Sequence, residues 1–215
     1  MGQFPSIFLS EQALIKNASH RVCICLCIDA SLSMLNENRI GKVNSGVRKF
    51  IKSCQDDLYA QGAADVCIIT FGGRKAAIVH NFTGVREIDY QDIIPDGQTP
   101  MGEAIELALD EIKKRKALFA SHGISSFKPW LIIMSDGVST DDISHAADRL
   151  RAAQRAKKIK VMCIDMSNGT EMSDLKKLTL DGAVSSIGAL EIEDFFNLLS
   201  REVAGLSNDN PEDYS

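Results

Sequence analysis

Positions 22–28 read VCICLCI, seven residues without a charge or a hydroxyl, and the eighth is Asp29. A run with no polar alternation suits a strand covered on both faces, as in the middle of a parallel sheet. DVCIITF (65–71), WLIIM (130–134) and KVMCI (160–164) are of the same kind, and AVSSIG (183–188) is a weaker fifth. Helix periodicity fills the intervals at 42–60, 101–120, 142–158 and 171–180, and returns at 191–205. This alternation predicts an α/β fold: a doubly wound, mostly parallel central sheet with helices on both faces, Rossmann-like in plan. The interval from Lys75 to Ile94 differs, because KAAIVHNF and REIDYQDI are half-polar and separated by a Thr-Gly turn. It predicts one short antiparallel edge strand and its return connection.

A chain of 215 residues is long enough for one well-filled core and short for two. The expected division is an N-terminal arm or short helix at 1–20, one domain at 21–206, and a flexible polar tail at 207–215, SNDNPEDYS. The net charge of -5 provides no basic field for nucleic acid or an anionic membrane surface. No run reaches the eighteen or so apolar residues of a membrane span, and the first residues lack a basic region leading into an apolar stretch. The expected location is the cytoplasm. Cys23, Cys25 and Cys27 repeat at the strand period and share one face. With Cys54, Cys67 and Cys163 they read as buried thiols in a reducing compartment, since CxCxC within a strand lacks the tight turn a zinc site needs.

In an open α/β sheet, ligands sit outside the carboxyl ends of the strands. Three polar clusters fall there: DASLSM from Asp29, DGQTPMGEAI with Thr99 before a helix, and MSDGVSTDD with Asp136 after WLIIM. Magnesium takes oxygen ligands in a near-octahedral shell. Asp29, Ser31 and Ser33 alternate around a loop, so their oxygens can converge, with a hydroxyl from Thr99 and a carboxylate from Asp136. Two carboxylates and three hydroxyls leave a Mg²⁺ short of negative charge and able to take a carboxylate from outside; Mn²⁺ or Ca²⁺ would suit the same oxygens. Each residue also has a structural role open to it. The serines are helix or loop caps, Thr99-Pro100 is a helix start, Asp136-Gly137 is a turn pair, and Asp141 and Asp142 cap the helix that follows. The four histidines are scattered without ligand spacing.

The set DxSxS at 29–33, Thr99 in QTPMG and Asp136-Gly137 in MSDG resembles the von Willebrand factor type A (VWA) domains that carry a metal-ion-dependent adhesion site, MIDAS. The resemblance covers about residues 20–205. It implies that Ser31, Ser33 and Thr99 touch the metal and that Asp29 and Asp136 act mostly through waters. It implies a metal-dependent interaction module that binds a partner protein's Asp or Glu, and not an enzyme. Within the family, the TP-G-AI helix start and the ITF strand look most like the tellurium-resistance TerY-type proteins, cytoplasmic and associated with stress. One departure is Leu32, where family members usually carry glycine; leucine tolerates positive φ poorly, so the loop either avoids that region or is distorted. The alternatives are a metal-dependent phosphohydrolase or nucleotide-binding enzyme, and a metal-free scaffold. Against an enzyme stand the missing phosphate-binding glycine loop, the missing GxSxG, and Ser31 where a DxD nucleophile motif would need its second acid. The expected rim for a partner is Leu32, Met34, Gly73, Gln98, Met101 and Ser139.

Overall fold

The computed structural model describes residues 20–167, 173–186 and 191–208. The expected arm, most of the expected tail and the end of the fifth apolar run lie outside the described residues. Among the described residues six strands form one sheet: β1 (Val22–Asp29), β2 (Ala64–Gly72), β3 (Lys75–Gly84), β4 (Trp130–Ser135), β5 (Lys160–Asp165) and β6 (Ser185–Ser186). Their order is β3-β2-β1-β4-β5-β6. All pairs are parallel except β2 with β3, the antiparallel edge expected within the interval from Lys75 to Ile94. The strand order reverses at β1, between β2 and β4, so the carboxyl end of β1 opens at the switch point where such sheets bind ligands.

The two faces of β1 bury different chemistry. Val22, Ile24, Leu26 and Ile28 pack under α1 (Arg39–Asp56) and α6 (Ile192–Gly205), against Val43, Val47, Phe50, Phe196 and Val203. Cys23, Cys25 and Cys27 face α3 (Met101–Ser121) and α4 (Ser144–Arg155), among Ala104, Ala108, Ala147 and Leu150. The helix expected over 42–60 starts earlier and breaks after Asp56. Asp57 is extended, and its carboxylate accepts the amides of Tyr59 and Ala60 at 2.9 and 2.8 Å, starting the short α2 (Ala60–Ala63). The expected 142–158 helix ends at Arg155, because Lys157 is left-handed with φ 53°. Within the described part of the segment at 171–180, residues 173–180, the helix is α5 (Ser173–Leu178).

At the opposite end from the switch point, Asp65 opens β2 completely buried between two arginines. Arg115 of α3 bonds Asp65 Oδ1 at 2.5 Å, and Arg21 Nη1 lies 3.6 Å from Oδ2. Burial raises the Asp65 carboxyl, while the two guanidinia oppose that shift. Leu206, in the turn after α6, is also buried, so residues 21 and 206 both belong to the packed body.

Two outcomes follow from this packing. Asp65→Ala leaves two buried guanidinia without their counter-charge and is expected to lower the unfolding free energy by about 3–5 kcal/mol in urea denaturation. All six thiols are buried, and burial pushes Cys54 and Cys163 up to about 12. A colorimetric thiol reagent is therefore expected to titrate them only after the protein is unfolded.

Candidate functional site

Asp29 closes β1 with no solvent exposure. Burial pushes its carboxyl up to about 6, opposed by hydrogen bonds from Ser135 and Ser31 and reinforced by the charge of Asp136. Oδ1 accepts the Ser31 amide at 2.8 Å, and Oδ2 accepts the Ser135 hydroxyl at 2.5 Å. One buried carboxylate thus fixes the start of the β1 loop and the end of β4. The Ser31 and Ser33 hydroxyls then lie 2.9 Å apart, and Ser33 donates to Asp136 Oδ1 at 2.7 Å.

Adjacent oxygens in a magnesium shell of about 2.0–2.1 Å radius stand about 2.9 Å apart. The hydroxyl pair has that spacing, and the Ser33–Asp136 contact is close to it. Four of the five expected residues are therefore joined by direct hydrogen bonds. Thr99 is brought to the same loops through the backbone: Leu32 N–H donates to Gly97 O at 3.4 Å, Thr99 N–H to Thr140 Oγ1 at 3.1 Å, and Thr140 N–H to Thr99 O at 2.9 Å. Among the described residues no group of three or more His, Cys, Asp and Glu is placed to hold a metal. A cation here would depend on hydroxyls, with Asp29 and Asp136 as the carboxylates.

The capping roles go largely elsewhere. Ser31 precedes the 3-10 segment Leu32–Asn38 without a side-chain capping bond. The first amides of α3, Gly102 and Glu103, are met at 2.9 and 2.8 Å by Asp141. Asp141 thus caps the preceding helix α3 across the site, which corrects the expectation that it caps the helix after it. Asp142 does serve that following helix, accepting the Ser144 amide at 2.9 Å. Leu32 avoids positive φ; among the described non-glycine residues only Glu37, Asn38 and Lys157 take it.

The expected rim also needs correction. Met34 and Met101 are fully buried under the loops, whereas Leu32, Leu35 and Val138 are the large apolar residues that face solvent around Asp136 and the serines. Periodicity cannot separate these, since the 3-10 segment turns Met34 inward one residue from Leu35.

Ser135, Gly72, Gly97 and Arg39 escaped the sequence analysis, and Gly73, expected at the rim, packs with the glycines of the floor. Ser135 is a polar residue at the end of an otherwise apolar strand, a signal that was available. The pair Gly72-Gly73 and Gly97 form the floor: Gly73 N–H donates to Asp96 O, Gln98 N–H to Gly73 O at 3.0 Å, and Asp96 N–H to Ala30 O at 2.7 Å. Gly97 has φ 57°, and a Cβ there would stand 2.6 Å from the Gly73 Cα. A Cβ on Gly72 would overlap the Ala30 carbonyl. Arg39, whose Nη1 bonds Asp136 Oδ2, is 97 positions away and has no local signal.

A family model of the von Willebrand factor type A domain matches residues 24–200. The chain belongs to the VWA family. No curated protein matches it. The VWA domain of SpRpn10 shares 15% identity at a TM-score of 0.60, over 83% of this chain and 95% of that one. The pilus adhesin SpaC from Lactobacillus rhamnosus GG shares 14% at a TM-score of 0.64, over 87% of this chain and 31% of that one. Proximal thread matrix protein 1 from the mussel byssus, with a zinc-occupied MIDAS motif, shares 14% at 0.56, over 86% of this chain and 48% of that one. This VWA chain thus spans about half of the mussel protein and about a third of the adhesin. At such identities the likeness speaks for the fold alone. VWA domains commonly mediate protein–protein interaction, and no helix among the described residues is long and apolar enough to cross a membrane.

Gly72→Ala is expected to push on the Ala30 carbonyl and lower stability by about 1–3 kcal/mol, as read from thermal or urea unfolding.

Proposed function

We propose that this VWA domain is a metal-dependent protein–protein interaction module, an adaptor that works by binding and not by catalysis. Asp29, Ser31, Ser33, Thr99 and Asp136 hold one divalent cation, Mg²⁺ by preference for a small octahedral shell and Mn²⁺ or Ca²⁺ as substitutes. Bound there, the cation supplies an open position for an Asp or Glu carboxylate of a partner protein. The observation that carries the reading is the chain of oxygens Ser31–Ser33–Asp136 at 2.9 and 2.7 Å, with Asp29 fixing the loop from beneath.

Selectivity among carboxylates comes from the surroundings, since a single metal–carboxylate bond cannot discriminate. Leu32, Leu35 and Val138 are 55%, 57% and 45% exposed and form an apolar rim for the partner's neighbouring residues. The zinc-occupied MIDAS of the mussel protein supports the choice of site by analogy. The unit that carries it is read as residues 21–206, bounded by the Arg21–Asp65 pair and by buried Leu206. The cytoplasmic, stress-linked TerY-type setting is the biological context of this reading and rests on the motif resemblance.

Calorimetric titration with Mn²⁺ tests the site. The wild type is expected to bind, and Asp29→Asn, which keeps the side-chain size and removes the charge that orients the loop, to bind about 10–100-fold more weakly. Equal binding by the two proteins would overturn the proposed site.

A further inference from the structure

Arg39 is the first residue of α1, and its charge stands where a helix disfavours it. The N-terminal end of a helix is positive, and the first turn of α1 holds no acidic residue to offset another cation. The backbone leading to it is also unusual. Glu37 and Asn38 are consecutive left-handed residues, with φ/ψ of 52°/19° and 55°/37°. Strain of this kind persists only where the surroundings hold it, and it concentrates at functional sites. Gly41 helps to hold it, because a Cβ there would overlap the Asn38 Oδ1.

This kink delivers the guanidinium onto Asp136. Arg39 Nη1 bonds Oδ2, with the Asp136 side chain fully buried and the Arg39 side chain 12% exposed. Oδ1 of the same carboxylate accepts from Ser33. Both oxygens of Asp136 are therefore committed, one to a cation that belongs to the chain. The Arg39 Nε is buried and makes no hydrogen bond. A second carboxylate is near: Glu37 Oε2 stands 3.9 Å from Nη2 and is 54% exposed.

We propose that Arg39 is a counter-cation built into the site, which holds Asp136 in the metal-free protein, opposes a divalent cation and is released when one binds. The proposal rests on the preceding reading of the site as a cation site. A guanidinium on Oδ2 and a divalent cation drawn to the Ser33 side of the same sheltered carboxylate, at Oδ1, repel each other, so loading the site favours release of the guanidinium. Displaced, the guanidinium turns outward to Glu37, beside the exposed Leu35. Loading the site and rearranging its rim become one event, and Arg39 sets the cation concentration at which it occurs. Cation affinity is then lower than the oxygen set alone would provide.

The test is a Mn²⁺ titration by calorimetry of the full chain and of Arg39→Gln, with thermal unfolding of both in a chelator. A like charge beside a binding group shifts its equilibrium by one to three decades, so Arg39→Gln is expected to bind Mn²⁺ at least about tenfold more tightly. In the chelator it is expected to melt lower than the wild type, since Asp136 loses its partner. Binding by Arg39→Gln alone, with none by the wild type, would also support the counter-cation. Equal or weaker Mn²⁺ binding by Arg39→Gln would overturn it and leave the cation site standing. An unchanged melting temperature in the chelator would likewise count against it. No binding by either protein at millimolar Mn²⁺ would overturn both readings.

Discussion

Everything at the candidate-site end of this VWA domain depends on a charge at the end of a strand with no solvent around it. Asp29 finishes β1 buried on both faces, and such a carboxylate is tolerated only if its lone pairs are occupied. The Ser31 amide and the Ser135 hydroxyl occupy them. Because those donors come from the loop after β1 and from the end of β4, satisfying one group fixes two loops. The hydroxyls of Ser31 and Ser33 are then presented toward Asp136 with little freedom left.

A second layer of constraint is purely backbone. Ala30 is gripped on both sides, its N–H by Phe71 O at 3.0 Å and its carbonyl by the Asp96 amide at 2.7 Å. The glycines at 72, 73 and 97 let the three chains approach this closely. The loops of a VWA site are thus not free excursions; the one after β1 is laced to its neighbour before its side chains are considered. Preorganisation of this kind reduces what must be ordered when a ligand binds.

Much of this could be read from the chain alone. Unbroken apolar runs marked β1, β2, β4 and β5, the half-polar segment from Lys75 to Ile94 contained the antiparallel edge, and DxSxS, Thr and Asp-Gly at strand ends marked the candidate site. These are local signals, because period and burial are properties of short stretches. What escaped was set by tertiary contact. Asp141 caps a helix 39 residues earlier because folding brings it over the start of α3. Met34 and Met101 turn inward while Leu35 and Val138 stay out, and Arg39 meets Asp136 across 97 positions. No spacing rule reaches those pairs.

The face of β1 that carries Cys23, Cys25 and Cys27 has a bearing on the candidate site. These thiols meet Ala104 and Ala108 of α3, and Cys27 Sγ lies 3.9 Å from the Ala104 carbonyl. Small side chains on both partners make a thin interlayer, so α3 rides close to the sheet. Thr99 leads directly into that helix, and its placement beside the loop after β1 is therefore tied to the core beneath. A bulkier residue at 27 or 104 would act as a shim, lifting the start of α3 and widening the oxygen cluster without touching any of its members.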